Sequence, residues 1–292
     1  MSRIAFICLL AGGCAIAFAP ILVRLSDTGP VASAFWRCAL AAPLLWLMMF
    51  LPSRNSRSPF RAGGSIPLRY LVAAGLFFAC DLGVWHWSIV YTSVANSTLL
   101  ANLAPIFVTL AGWLLWRQAV TRVFLVGMIV AIAGMFVLVG PNFGIGGTRL
   151  LGDALGALTG AFYAGYMLAI KFARDAGAST PRLMAWSTTI TAVVLLPVAY
   201  LSPQPMLPAA MAGWWVLIGL AIVSQILGQG LIAYAFAHLP ASLSSVSLLI
   251  QPVMAAIFAW IIFGEAIGPV QFVGGAVVLA GIWLARRGSL EA

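Results

Sequence analysis

Charge is what this chain has least of. Only 7% of its 292 residues are Asp, Glu, Lys or Arg, and against fourteen arginines there is a single lysine, Lys171. A water-soluble domain cannot cover its surface with so few charges. Histidine is scarcer still, with His86 and His238 alone, and the six acids do not cluster. Hydrolysis or group transfer needs paired acids, a metal cluster or a nucleophile with its base, and no such set assembles here, so the chain is not expected to be an enzyme. Cys8, Cys14, Cys38 and Cys80 show no metal-ligand spacing and fall inside apolar runs, where they read as small core residues. No nucleotide-binding motif is present, so ATP is not the direct energy source, and no cofactor is expected.

What the chain has in excess is apolar length. It is 63% hydrophobic, with a mean hydropathy of +1.08. A helix needs roughly 20 mostly apolar residues to cross a bilayer. Ten segments meet that length, at 4–24, 31–51, 67–91, 95–116, 121–140, 151–173, 182–202, 211–237, 241–263 and 268–286. The longest polar stretch, Pro52 to Gly64, leaves no room for a soluble domain. The start, with Arg3, an apolar run and Ala15-Ile16-Ala17, has the look of a cleavable signal. The run is long and ends at Arg24, and its repeat counterpart is internal, so it is expected to remain as the first span.

A net charge of +9 raises the question of nucleic acid, but the cations do not form one water-facing patch. They sit at span ends. Ten spans put Arg3, Arg54, Arg57, Arg61, Arg69, Arg117, Arg122, Lys171, Arg174, Arg182, Arg286 and Arg287 on the face of the N-terminus, and only Arg24 and Arg149 on the other. By the positive-inside rule both termini are expected in the cytoplasm. The arginine bias points to a GC-rich bacterial genome, hence a bacterial inner membrane.

The chain also matches itself. Residues 93–138, moved forward by 147 positions without a gap, align Ser97 with Ser244, Pro105 with Pro252, Trp113 with Trp260, Gly127 with Gly274 and Gly134 with Gly281. The same shift pairs Gly13 with Gly160 and Arg24 with Lys171. Two halves of five spans, 1–145 and 146–292, follow. Five is odd, so the second half enters the membrane inverted, and exchanging the conformations of the halves turns an inward-facing state into an outward-facing one. Pro105 and Pro252, each near the middle of its span, are either static kinks or paired gating hinges. Gly127, Gly134, Gly274 and Gly281 give spans five and ten small faces for close packing.

Polar side chains inside spans are the candidates for function, because each costs energy to insert. Asp81, Trp85, Asn102, Tyr163, Gln225, Gln229 and Ser244 are the expected substrate-binding residues, around a midplane cavity walled by aromatics. Gln225 and Gln229, four apart, are expected to share one helix face. Asp81, His86 and Arg37 are candidates for a proton or polar relay, and an Asp81–Arg37 pair or a structural histidine is the plainer reading of the same residues.

Pro252, the Phe263-Gly264-Glu265 turn, Gly274 and Gly281, within a five-plus-five duplication, resemble the drug/metabolite transporter superfamily, EamA-type. In the first half Trp116-Arg117-Gln118 stands where the family has its Gly-Glu turn, so that copy has drifted. Among its branches the chain is most similar to the bacterial amino-acid exporters of the YddG type. The resemblance implies an all-α polytopic protein that exports aromatic and other apolar amino acids by alternating access. Its partners would be a small-molecule substrate and the lipid bilayer, with no nucleic acid, and a monomer suffices for the scheme. A multidrug or quaternary-cation exporter is the alternative, balanced by Asp81. A sugar-phosphate or nucleotide-sugar carrier ranks lower, because Arg37 is the only in-span cation.

Overall fold

A computed structural model describes residues 2–50, 67–92, 94–139 and 149–290. Arg54, Arg57 and Arg61, and the side chains of His86 and Arg149, lie outside what is described.

With no water to satisfy peptide groups in the hydrocarbon, the apolar runs have one open-ended solution, the helix. The described residues contain ten helical spans long and apolar enough to cross a membrane: Arg3–Leu25, Pro30–Phe50, Leu68–Trp85, Ser97–Trp116, Arg122–Val139, Leu150–Asp175, Thr180–Tyr200, Met211–Phe236, Ala241–Phe263 and Pro269–Leu290. They are called spans one to ten. Their ends carry ordinary helix signals. Ser2 and Ser179 cap spans one and seven by accepting from the N–H of Ala5 and Arg182.

Helix packing follows the repeat. Span two packs on span seven and span five on span ten, each against its own counterpart; span three packs on span six, as span eight does on span one. The five–ten pair is the most extensive. A methyl group added at Gly127 would overlap the backbone of Ala285, one at Gly281 the backbone of Ala131, and one at Gly274 the backbone of Leu138. Gly134 meets Val278 in the same way. These two helices touch main chain to main chain.

Four spans are not regular helices. Span one breaks at Ala17-Phe18, between Arg3–Ile16 and Ala19–Leu25. Span four breaks between Val94–Ala101 and Ala104–Trp116, and span nine between Ala241–Ser247 and Ile250–Phe263. Shifted by 147, the last two breaks agree to one residue. The structure departs from an interior proline kink here. Pro105 and Pro252 sit in the first turn of the second segment, where a missing N–H leaves no helical bond unmade, so each proline restarts a helix. Tighter turns bridge the breaks: Leu103 N donates to Leu100 O at 3.1 Å and Leu249 N to Val246 O at 3.1 Å. Span eight carries a π-helical segment, Leu220–Gln229, whose counterpart in span three is an ordinary α-helix.

The drifted turn keeps its shape. Gly264 ends span nine in the left-handed region at φ 69°, and its counterpart Arg117 ends span four at φ 51°, the only non-glycine residue with positive φ among the described residues. Each donates its N–H to a tryptophan carbonyl, Trp260 and Trp113. Glycine accepts this geometry without penalty, whereas an L side chain is strained by roughly 1–2 kcal/mol. Arg117→Gly is therefore expected to stabilise the protein by about 1 kcal/mol, seen as a raised melting temperature in detergent. An unchanged or lowered midpoint would mean the Arg117 side chain compensates for its own strain.

Candidate functional site

The breaks surround a cavity of about 680 Å³, lined by spans one, two, three, four, six, eight and nine. That volume is in the usual range for small-molecule sites, roughly 300–1,000 Å³. The cavity runs from the level of Arg37 and Asp81 to the end of the bundle that carries Arg24, Pro30 and Phe263. Towards the other end the core closes over Phe6, Leu9, Leu45, Leu71, Tyr166 and Phe236, all buried.

Its wall is mostly apolar because spans one and nine present small or ring-bearing residues there: Ala17, Pro20, Pro252, Ala255, Ala256 and Ala259. Main-chain breaks bring polar groups to the same space. Asn102 is the first residue of the break in span four. Its Nδ2 donates back to Thr98 O at 2.8 Å, and its Oδ1 has no hydrogen-bond partner among the described residues. Gln251 opens the second half of span nine and donates to the Tyr163 hydroxyl at 3.4 Å, tying span nine to span six.

Asp81, Trp85, Asn102, Tyr163 and Gln229, with Arg37, line this one cavity. Gln225 and Ser244 do not. Gln225 is 1% exposed and spends both ends of its amide inside the protein: Oε1 accepts from Arg37 Nε at 2.8 Å, and Nε2 donates to Thr188 Oγ1 at 3.0 Å. Gln229 faces another way, its Oε1 accepting from the Tyr166 hydroxyl at 3.2 Å while the residue borders the cavity. The shared face expected of the two glutamines is thus divided between two neighbours, in a segment wound as π-helix rather than α-helix. Ser244 is fully buried, and its hydroxyl has no partner among the described residues, as is true of its counterpart Ser97.

Arg37 and Asp81 are each nine-tenths buried, at 7% and 9% exposure, yet they do not form an ion pair. The ion pairs among the described residues are Arg24 with Glu265, at the cavity's open end, and Lys171 with Asp175. Phe78 was not a candidate from sequence. Its ring lies 5.4 Å from the Arg37 guanidinium carbon and stacks on Tyr166 at 4.5 Å. The signal was available in the repeat, since the 147 shift sets Phe78 opposite Gln225, the other group that holds Arg37.

A second, smaller cleft of about 340 Å³ lies at the opposite end of the bundle, bordered by Val108, Trp116, Gln118, Lys171 and Phe172. Val108, Trp116 and Lys171 are the counterparts of Ala255, Phe263 and Arg24 on the main cavity.

The EamA-like transporter family matches this chain twice, at residues 3–140 and 150–287. The chain is similar to a protein named pseudopaline exporter CntI in Pseudomonas aeruginosa (strain UCBPP-PA14), 26% identical over 263 residues, which is 89% of this chain and 88% of the relative. It is also similar to a probable terminal-alkyne amino-acid exporter of Streptantibioticus cattleyicolor, 29% identical over 208 residues, 70% of this chain and 68% of the relative. A solved crystal structure superimposes with a TM-score of 0.81 at 16% identity, covering 100% of this chain and 99% of the other, a likeness of fold alone.

Proposed function

The chain belongs to the EamA-like transporter family of the drug/metabolite transporter superfamily, and from that premise we propose that it exports small neutral or amphipathic metabolites, above all apolar and aromatic amino acids, from the cytoplasm of a bacterium. The observation that carries this reading is the cavity itself: about 680 Å³, largely apolar, ringed by Trp85, Tyr163, Phe78 and Phe263, with a few polar groups at its closed end. A site of that make-up suits a solute with an apolar side chain and a compact polar head. The two named relatives described as exporters lend it further support.

The proposed mechanism is alternating access between repeats 1–145 and 146–292, in inverted orientation and with both termini cytoplasmic. Support for it is geometrical. Two pairs of counterpart spans, two with seven and five with ten, pack on each other, and the break in span four is repeated in span nine. The cleft at Trp116 and Lys171 repeats, at about half the volume, the mouth at Phe263 and Arg24. In this orientation the cavity opens to the outside, and motion at the restarts beside Pro105 and Pro252 exchanges the two mouths. Ser97 and Ser244, whose hydroxyls have no partner among the described residues, lie on the short helical segments that precede those restarts.

Purified protein in liposomes is expected to take up labelled phenylalanine, tryptophan, threonine or methionine, measured with and without an imposed pH gradient. Uptake without the gradient marks a facilitator; uptake only with it directs attention to Asp81. No uptake of any of the four removes the amino-acid reading. Asp81 within an aromatic wall favours one other substrate, a lipophilic cation. Resistance to cationic dyes on expression, abolished by Asp81→Asn, is the result that reading requires.

A further inference from the structure

Two opposite charges share the wall of this cavity without pairing. Buried charges in proteins are ordinarily paired, because an isolated one forfeits its hydration. Inside a membrane the cost is higher still. Arg37 and Asp81 are 7% and 9% exposed and border the same space, yet no ion pair joins them, and Asp81 has no hydrogen-bond partner among the described residues.

The guanidinium is not loosely placed. Gln225 takes its Nε–H at 2.8 Å and is itself anchored on Thr188 at 3.0 Å. Phe78 lies against it at 5.4 Å, backed by Tyr166, whose hydroxyl is bound to Gln229. Everything that holds Arg37 holds its Nε or its flat face, and its two terminal nitrogens have no protein partner among the described residues. Those two nitrogens are the fork that binds a carboxylate in bidentate fashion. Asp81 follows Phe78 by three residues on span three, so its carboxyl group lies on the helix face that supports the cation.

We propose that Arg37 and Asp81 together recognise one zwitterion, Arg37 taking its carboxylate and Asp81 its ammonium, so that the cavity accepts molecules with both charges free and refuses those with one. The inference rests on the amino-acid reading above and sharpens it. A zwitterion supplies a partner to each buried charge at once. A lipophilic cation leaves Arg37 unpaired and repelled, and a phosphate ester leaves Asp81 in the same position. One cation facing one anion is a poor cradle for either and a matched one for an α-amino acid.

The test is equilibrium binding to the purified full-length protein in detergent, by titration calorimetry, with probes built on the amino acid that the uptake panel moves fastest. Written for phenylalanine, they are phenylalanine, phenethylamine (carboxylate removed) and 3-phenylpropionate (ammonium removed). Wild-type protein is expected to bind phenylalanine at least roughly thirtyfold more tightly than either analogue, the usual size of effect when one member of a buried charge pair is lost. Arg37→Gln is expected to weaken phenylalanine by a similar factor and to prefer phenethylamine, and Asp81→Asn to prefer 3-phenylpropionate. Wild-type binding of either analogue as tight as that of phenylalanine overturns the two-point assignment while leaving amino-acid export standing. Binding of no amino acid in the panel overturns both. The analogue comparison on wild-type protein decides the matter even if a variant does not fold.

Discussion

Ala255→Trp is expected to bring transport down to the level of empty liposomes while leaving the fold intact. Ala255 is on the cavity wall of span nine, between Pro252 and Ala259 and beside Ala256. An indole there has no core to disrupt; it enters the space that a substrate must occupy. Displacing substrate from a filled site costs more than about 3 kcal/mol, over a hundredfold in affinity. Two controls make the result specific. Ala255→Val, which adds only two methyl groups, is expected to retain most of the activity. The thermal midpoint of the tryptophan variant in detergent should remain within a few degrees of wild type. Full transport by Ala255→Trp would mean that substrate crosses by another route and that the cavity is not the path.

A second large effect concerns the scaffold. Gly281→Leu is expected to abolish recovery of monodisperse protein. An added carbon at Gly281 meets the backbone of Ala131, and Gly127, Gly134 and Gly274 are in the same position along the helix pair. Side-chain crowding can be relieved by rotation about χ angles, but backbone crowding is relieved only by moving a whole helix. The cost is therefore at the top of the overpacking range, about 3 kcal/mol or more. In a membrane no hydrophobic force between helices offsets it, since lipid is as apolar as leucine. Gly230, where an added methyl group meets nothing within 4 Å, supplies the contrast: Gly230→Ala should purify like wild type. Wild-type yield and melting of Gly281→Leu would show that spans five and ten are not held by this contact.

The polar residues singled out from sequence are divided by the structure between the cavity wall and the helix contacts, and particular side chains show why. Asp81, Trp85, Asn102, Tyr163 and Gln229 were picked out because a polar or indole group inside an apolar run is conspicuous in any conformation, and all five border the cavity. Gln225 and Ser244 were equally conspicuous and are elsewhere. Cost of insertion says that such a residue has a reason to be present; it does not say whether the reason is a ligand or a neighbouring helix. That depends on the rotation of each helix about its axis. In span eight the rotation is set by a π-helical segment that local composition does not announce. Phe78 was missed for the converse reason: a phenylalanine in a membrane helix is unremarkable until the guanidinium lying on it is known.

Span number and extent were legible because the cost of a peptide group or a charge in hydrocarbon is paid residue by residue, within a window of sequence. The repeat was legible because proline, tryptophan and glycine at matching places survive drift elsewhere. Even the altered turn at Arg117 could have been placed through its partner Gly264, since backbone geometry outlasted the residue that favours it. Which charges pair is a different kind of fact. The pairing of Arg24 with Glu265, and the lack of an ion pair between Arg37 and Asp81, are products of distances between segments far apart in the chain. The breaks in spans one, four and nine, and the cavity they border, exist only once the ten helices have packed. Hydrophobic length is a local property and is written locally; an unfilled space between helices belongs to no residue and appears only in their assembly.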